Sequence, residues 1–225
     1  MNSMILIIQK YGTMLIDALG KTLLLTLLSL IFAMIIGLIF SLMNVGKNRF
    51  FNLLGTVYVD AVRGVPLIVL AYFIYFGVPA GMREIGFSNF RLTALQAGTA
   101  ALSMNCGAYM AEIIRAGIES VDKGQMEASR SLGINYRLSM QTIVLPQAIR
   151  TMIPSIINQF IITLKDTSIL SVIGFPELTN MGKTIIGNTY LSLQTWTIVA
   201  IMYMVVIITL SKFAKKVERR VNRGR

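Results

Sequence analysis

The sequence predicts an all-α integral membrane protein with five transmembrane helices, its N-terminus outside and its C-terminus in the cytoplasm. Three observations carry that expectation. Of 225 residues, 55% are hydrophobic and only 14% are charged, with a mean hydropathy of +0.68; an average globular domain is about 25% charged. A soluble fold of this size would need a polar skin that the chain lacks. Uncharged runs recur at the length of about 20 residues that a bilayer core demands of a helix. The Lys and Arg residues fall between those runs and at the C-terminus. The same composition excludes a disordered chain and a disulfide scaffold.

The spans are expected near 13–43, 53–78, 92–115, 151–174 and 190–212, within a single domain of residues 1–225. In the first, residues 23–43 are apolar apart from Thr26, Ser29 and Ser41. That run is too long for a signal-peptide core and no small-residue cleavage site follows, so it is expected to remain in the mature protein. The second starts near Leu53, carries Asp60 and Arg63, and meets Pro66, which is expected to bend it. The third is rich in small residues. The fourth is interrupted by Lys165 and Asp166 and ends at Gly174-Phe175-Pro176, where glycine can cap a helix and proline cannot continue it. The fifth lies in the uncharged run before Lys212.

The tail residues Lys212, Lys215, Lys216, Arg219, Arg220, Arg223 and Arg225 stand against a single Glu218. The positive-inside rule places this segment in the cytoplasm. An odd number of spans then puts the loops holding Lys47, Arg49 and residues 115–150 inside, and the loops 83–91 and 177–183 outside. Net charge is +11. Its placement at span ends points to anionic lipid as partner rather than to nucleic acid.

Small residues recur every fourth position, as Ala33, Gly37 and Ser41 and again as Ser103, Gly107 and Ala111. Such stripes let helix backbones approach closely in lipid. The chain has no histidine, which removes the Ser–His–Asp triad and the HExxH metal site. Cys106 is the one cysteine and reads as a small packed side chain. No metal site and no catalytic residue are expected.

The segment of about 116–150 is too polar to span and too regular for a linker. Gln125 to Leu132 reads as a short helix with an apolar side (Met126, Leu132) and a charged side (Glu127, Arg130). Gly133 stops it, Asn135 suits a turn, and a second helix runs from Tyr136 to Leu145, before Pro146. Physics alone allows two readings: a helix–turn–helix presented to a partner, or a helix lying at the lipid interface.

Glu127-Ala128-Ser129, three residues, Gly133, nine residues, then Ile143-Val144-Leu145-Pro146 resembles the EAA-loop signature of bacterial ABC importer permeases. Ser129 replaces the second alanine. Arg63-Gly64-Val65-Pro66-Leu67, the run from Tyr109 to Ile118, and Leu164-Lys165-Asp166-Thr167-Ser168 are similar to segments of the polar amino-acid uptake branch. The resemblance implies a type I importer permease fold in the bacterial cytoplasmic membrane. It implies two cytoplasmic ABC ATPase subunits, which carry ATP and Mg, and a second permease, identical or paralogous. It also implies an extracytoplasmic amino-acid-binding protein. This chain would then bind no cofactor and catalyse nothing. By match to the motif, Glu127 would contact the ATPase, Ala128 and Ser129 would allow close approach, Gly133 would turn the chain, and Pro146, after Ile143 and Leu145, would end the second segment.

Ionisable and polar groups inside a membrane are functional suspects. The substrate-path candidates are Asp60, Arg63, Asn105, Tyr109, Asn158, Gln159, Lys165 and Asp166. Asp60 and Arg63 share a helix face, and the plainer reading of them is a structural ion pair. The resemblance implies an acidic residue at Gln159 in several relatives, so a neutral amide here points to a neutral or polar solute. Two decoys are set aside. Met181-Gly182-Lys183-Thr184 ends like a P-loop, but position 177 is Glu where that motif needs Gly. Lys165 and Ser168 could form a Ser–Lys dyad, with nothing to supply an oxyanion hole. The rival transport class is an ion-coupled secondary transporter or channel subunit, which needs no coupling loop; another small polar solute is the alternative substrate.

Overall fold

The computed structural model describes residues 2–46 and 48–222. Lys47, Arg223 and Arg225, counted above among the inside cations, lie outside the described residues, as does the side chain of Arg220. Every regular element among the described residues is helical. The helices are α1 (Asn2–Val45), α2 (Arg49–Gly64), α3 (Leu67–Tyr72), α4 (Val78–Glu84), α5 (Ala94–Glu119), α6 (Lys123–Ser131), α7 (Tyr136–Ser139), α8 (Leu145–Asp166), α9 (Leu178–Thr189) and α10 (Ser192–Asn222). A π-helical turn, Phe73–Gly77, joins α3 to α4, and another, Met140–Val144, joins α7 to α8. A 3-10 stretch, Thr167–Ile173, prolongs α8.

Four helical stretches are long and apolar enough to cross a membrane: Ser3–Val45, Leu67–Glu84, Tyr136–Ile173 and Ser192–Arg219. The remaining long helix, α5, has 26 residues and is the most thoroughly buried of all. It sits at the centre, packed on α1, α2, α3 and α8. Residues shielded by neighbouring helices need not be apolar by the measure lipid imposes, and α5 is built of Ala, Gly, Ser and Asn where the outer helices carry Leu and Ile.

The two small-residue stripes face each other across the α1–α5 seam. A side chain at Gly37 would come within 3.2 Å of the Ala111 nitrogen and the Gly107 oxygen. The Ser103 hydroxyl donates to the Ser29 carbonyl at 3.2 Å. A Thr93–Gln96 capping box starts α5. Tyr58 of α2 stacks on Phe40 of α1 with centroids 3.8 Å apart and donates to the Met104 carbonyl of α5 at 2.9 Å.

Three local expectations are corrected. Pro66 does not bend one long helix: α2 ends at Gly64, Val65 is extended, and Pro66 caps α3. Proline disfavours helical backbone in the residue before it, so the chain breaks instead of kinking. Pro146 does not end the second segment of the EAA-like motif. The helix runs through it: the π turn of Met140–Val144 comes just before, its Leu145 N–H reaching back to the Met140 carbonyl, and this wider turn accommodates the proline ring. Tyr136–Ile173 is therefore one helical rod of 38 residues. The segment around 177–183 is not a loop but the start of α9.

Candidate functional site: a helical elbow and a charged cleft

The EAA-like residues build a compact helix–turn–helix. Asp122 caps α6 by accepting from the Gly124 N–H at 2.8 Å. After α6 the chain closes with two bonds of a Schellman motif: Gly133 N–H to the Arg130 carbonyl at 3.0 Å and Ile134 N–H to the Ser129 carbonyl at 3.2 Å. Gly133 has φ +82°, a left-handed conformation that glycine adopts freely. Asn135 then caps α7 by accepting from the Leu138 N–H at 2.9 Å.

Helix α6 packs on α7 and the adjoining π turn. Ser129 and Ser139 are buried there, and the Ser129 hydroxyl donates to the Met126 carbonyl at 2.9 Å. Ser129 thus faces inward while Glu127, Ala128, Arg130 and Gly133 are exposed. The expected apolar side is corrected at one position. Leu132 is 81% exposed, because it ends α6 and projects beyond the last turn instead of packing beside Met126. Downstream, Ile143 and Leu145 are half-buried and Pro146 is exposed. Tyr136 and Leu138 are largely exposed as well.

The second feature is a cleft of about 350 Å³ between the C-terminal end of α1, helix α2 and the C-terminal end of α5. Asp60 and Arg63 line it together, beside Asn44, Asn52, Thr56, Glu112, Arg115 and Glu119. Arg115 binds Glu112 through Nε at 3.1 Å and Nη2 at 2.6 Å, and Glu119 through Nη1 at 2.6 Å. Among the described residues, neither Asp60 nor Arg63 takes part in an ion pair, although the Arg63 charge acts on nearby Glu112. The Arg63 guanidinium instead lies over the Tyr109 ring, 5.2 Å from its centroid, in cation–π geometry. The structure thus joins three of the expected path residues, Asp60, Arg63 and Tyr109.

The other candidates lie apart from it. Gln159 is buried at 6% exposure on α8, and Asn105 is buried on α5. The Gln159 amide and the Thr163 hydroxyl approach the Cys106 thiol across the α5–α8 contact. Asn158 lines a separate groove against Ser211, Ala214, Lys215 and Glu218 of α10. Lys165 is exposed and Asp166 half-buried, at the junction of α8 with the 3-10 stretch. The Ser168 hydroxyl donates to the Lys165 carbonyl at 2.7 Å, so its proton is committed to its own turn. Lys183 sits in mid-helix and donates to the Ser171 hydroxyl at 2.8 Å, as no P-loop lysine would. Among the described residues, no group of three or more His, Cys, Asp or Glu is placed to hold a metal ion.

Sequence reasoning missed Glu177. Its side chain is fully buried and caps α9, accepting from Thr179 N–H at 2.7 Å and Asn180 N–H at 2.6 Å, and from the Tyr203 hydroxyl of α10 at 2.8 Å. Next to it the Leu178 N–H donates to the Thr22 hydroxyl of α1 at 3.1 Å. Burial pushes the Glu177 carboxyl above its ordinary range, against the pull of the hydrogen bonds from Thr179, Tyr203 and Asn180. The available signal was a carboxylate one residue before a helical run, in the Gly-Phe-Pro-Glu context of a helix restart.

Known proteins match this geometry along most of the chain. Residues 29–223 match the model of the binding-protein-dependent transport system inner membrane component family. The chain is 34% identical to the glutamine transport system permease protein of Escherichia coli, over 92% of each chain. It is 37% identical to a probable glutamine ABC transporter permease protein of Bacillus subtilis, over 94% of this chain and 95% of that one. It is also 34% identical to the arginine transport system permease protein of Bacillus subtilis, over 91% of each. Among solved structures, an amino acid ABC transporter crystallised with histidines superposes with a TM-score of 0.88 at 39% identity, covering 96% of this chain and 97% of that one. These matches leave the secondary-transporter, channel and hydrolase readings without support. The chain belongs to the family of inner membrane components of binding-protein-dependent transport systems, and is a membrane-embedded ABC permease rather than a catalytic subunit.

Proposed function

We propose that this permease imports a polar amino acid, of which glutamine is the first candidate, and that α6 is the element that couples it to a separate cytoplasmic ATPase. The observation that carries the coupling assignment is the elbow. A capped, self-supporting helix presents Glu127, Ala128 and Leu132 outward at one end of the 38-residue rod Tyr136–Ile173. A partner that grips α6 grips the rod. Relatives named for glutamine and arginine transport support the amino-acid class. Two of those relatives, from Escherichia coli and Bacillus subtilis, are named for glutamine, which puts the uncharged member of the pair first. The working complex would hold two ATPases with their ATP and Mg, a second permease, and an external binding protein.

In this reading the chain crosses the membrane five times, with α5 as the central crossing, the N-terminus outside and the C-terminus in the cytoplasm. Single cysteines at positions 2 and 222, in a Cys106→Ala background, test the topology. An impermeant maleimide on intact cells should label position 2 and spare 222; the reverse pattern overturns it. For the substrate, the copurified complex with its binding protein is offered each L-amino acid in turn. Glutamine is expected to stimulate ATP hydrolysis most. Stimulation by none of them removes the amino-acid assignment.

A further inference from the structure

We propose that Arg63 and Asp60 form a site for the zwitterionic main chain of an amino acid, with Arg63 receiving the α-carboxylate and Asp60 the α-ammonium. The inference rests on the amino-acid reading above. It starts from the arrangement of charges in the cleft. Glu112 and Glu119 share the single guanidinium of Arg115, and Arg63 also acts on Glu112 electrostatically. Asp60 and Arg63 lie three residues apart on one face of α2, line the same cleft, and form no ion pair with each other. Stacking over Tyr109 holds the guanidinium away from Asp60, which explains why two opposite charges so close in sequence stay separate.

A solute that complements the pair must carry both signs a short distance apart, with no net charge at that end. An amino-acid main chain does; a simple anion or cation satisfies one group and leaves the other bare. The cleft volume of about 350 Å³ falls at the small end of the roughly 300–1,000 Å³ typical of small-molecule sites.

An arginine can bind a carboxylate by two parallel hydrogen bonds, which a lysine cannot reproduce.

The test uses the permease–ATPase complex purified without binding protein, so that no upstream filter intervenes. Binding of L-glutamine is compared with binding of its α-amide, in which the carboxylate is masked, and of its des-amino analogue. The wild-type complex is expected to prefer glutamine over each analogue by about tenfold or more. Arg63→Gln should abolish the preference over the α-amide and keep that over the des-amino analogue; Asp60→Asn should do the converse. Arg63→Lys should retain a reduced preference over the α-amide, and it serves as the second variant if Arg63→Gln does not fold. Preferences that survive in both neutral variants, or that fall together in each, overturn the assignment. If no L-amino acid stimulates the wild-type complex in the ATPase panel, the amino-acid reading fails, and this inference with it. If glutamine stimulates but the wild type binds all three compounds alike, only this inference fails.

Discussion

The rod Tyr136–Ile173 has a turn at each end, and the two turns share one design with opposite surroundings. Both close on a glycine with positive φ, +82° at Gly133 and +76° at Gly174. Both are Schellman motifs: Phe175 N–H reaches the Leu170 carbonyl and Gly174 N–H the Ser171 carbonyl, as Ile134 and Gly133 do at the other end. Both are followed by a side-chain cap, Asn135 or Glu177. They differ in what covers them. At the Gly174 turn the apolar pair of the motif is Leu170 and Phe175, both in the main core, and Ile173, Glu177 and Leu178 are buried beside them. At the Gly133 turn the matching pair is Ser129 and Ile134, and Leu132 stands in solvent. One turn is finished by its own chain. The other is finished as backbone but left open as surface, as an element does that a partner completes.

Proline at each glycine should break the comparison most sharply. Neither glycine's φ suits proline, and both N–H groups are used. Gly174→Pro should leave too little folded protein to recover from the membrane. Gly133→Pro should insert and purify normally yet lose uptake by more than about tenfold. Normal uptake by Gly133→Pro, with the ATPase still bound, would remove the elbow from coupling.

Next in size is Glu177→Ala, which deserts two backbone N–H groups and the Tyr203 hydroxyl in a buried site. Thermal unfolding in detergent should show a loss of roughly 2–4 kcal/mol. No shift in melting would mean that α9 does not need its cap. Glu127→Lys should be silent in the same melt, because the side chain is exposed. Pull-down of the ATPase should fall by about tenfold, the effect of about 1.4 kcal/mol. Unchanged pull-down and uptake would free Glu127 from the contact.

Alanine at the two glycines gives the finest comparison. A methyl group meets nothing within 4 Å at either position, so the intrinsic strain of about 1–2 kcal/mol is the same. Gly174→Ala should show it in the melting temperature. Gly133→Ala should show it instead in ATPase affinity, since the open turn relaxes without disturbing a core. Equal melting losses would mean that the elbow is as tightly held as the far turn.

Much of this was legible in the sequence because it depends on local rules. The turn at Gly133, the cap at Asn135, the stop at Gly174 and the small-residue stripes follow from backbone chemistry and helical spacing, and the structure places them as expected. Leu132, Pro146 and Glu177 were misread for one reason. Each depends on a neighbour that spacing does not reveal: a helix end that turns a leucine outward, a π turn that accommodates a proline, and a Tyr203 that makes a buried carboxylate tenable. In the charged cleft, the shared face of Asp60 and Arg63 was readable from their separation of three. That Arg63 leaves Asp60 for Tyr109 needed the packing of α5 against α2.

The rod also has a mechanical consequence. It is held at more than one level: Ala148 and Met152 close against Gly117, and further along Ile156 and Phe160 pack against Ala33, Cys106 and Met110. Pro154 lies inside the helix between those two levels, where its ring denies one backbone hydrogen bond and lets the helix bend. Beyond it, Leu170 and Phe175 seat in the core and Glu177 ties α9 to α10. A push on α6 would therefore move the segment before the proline more readily than the segment after it. Pro154 would be the joint that takes up such a motion before it reaches the core.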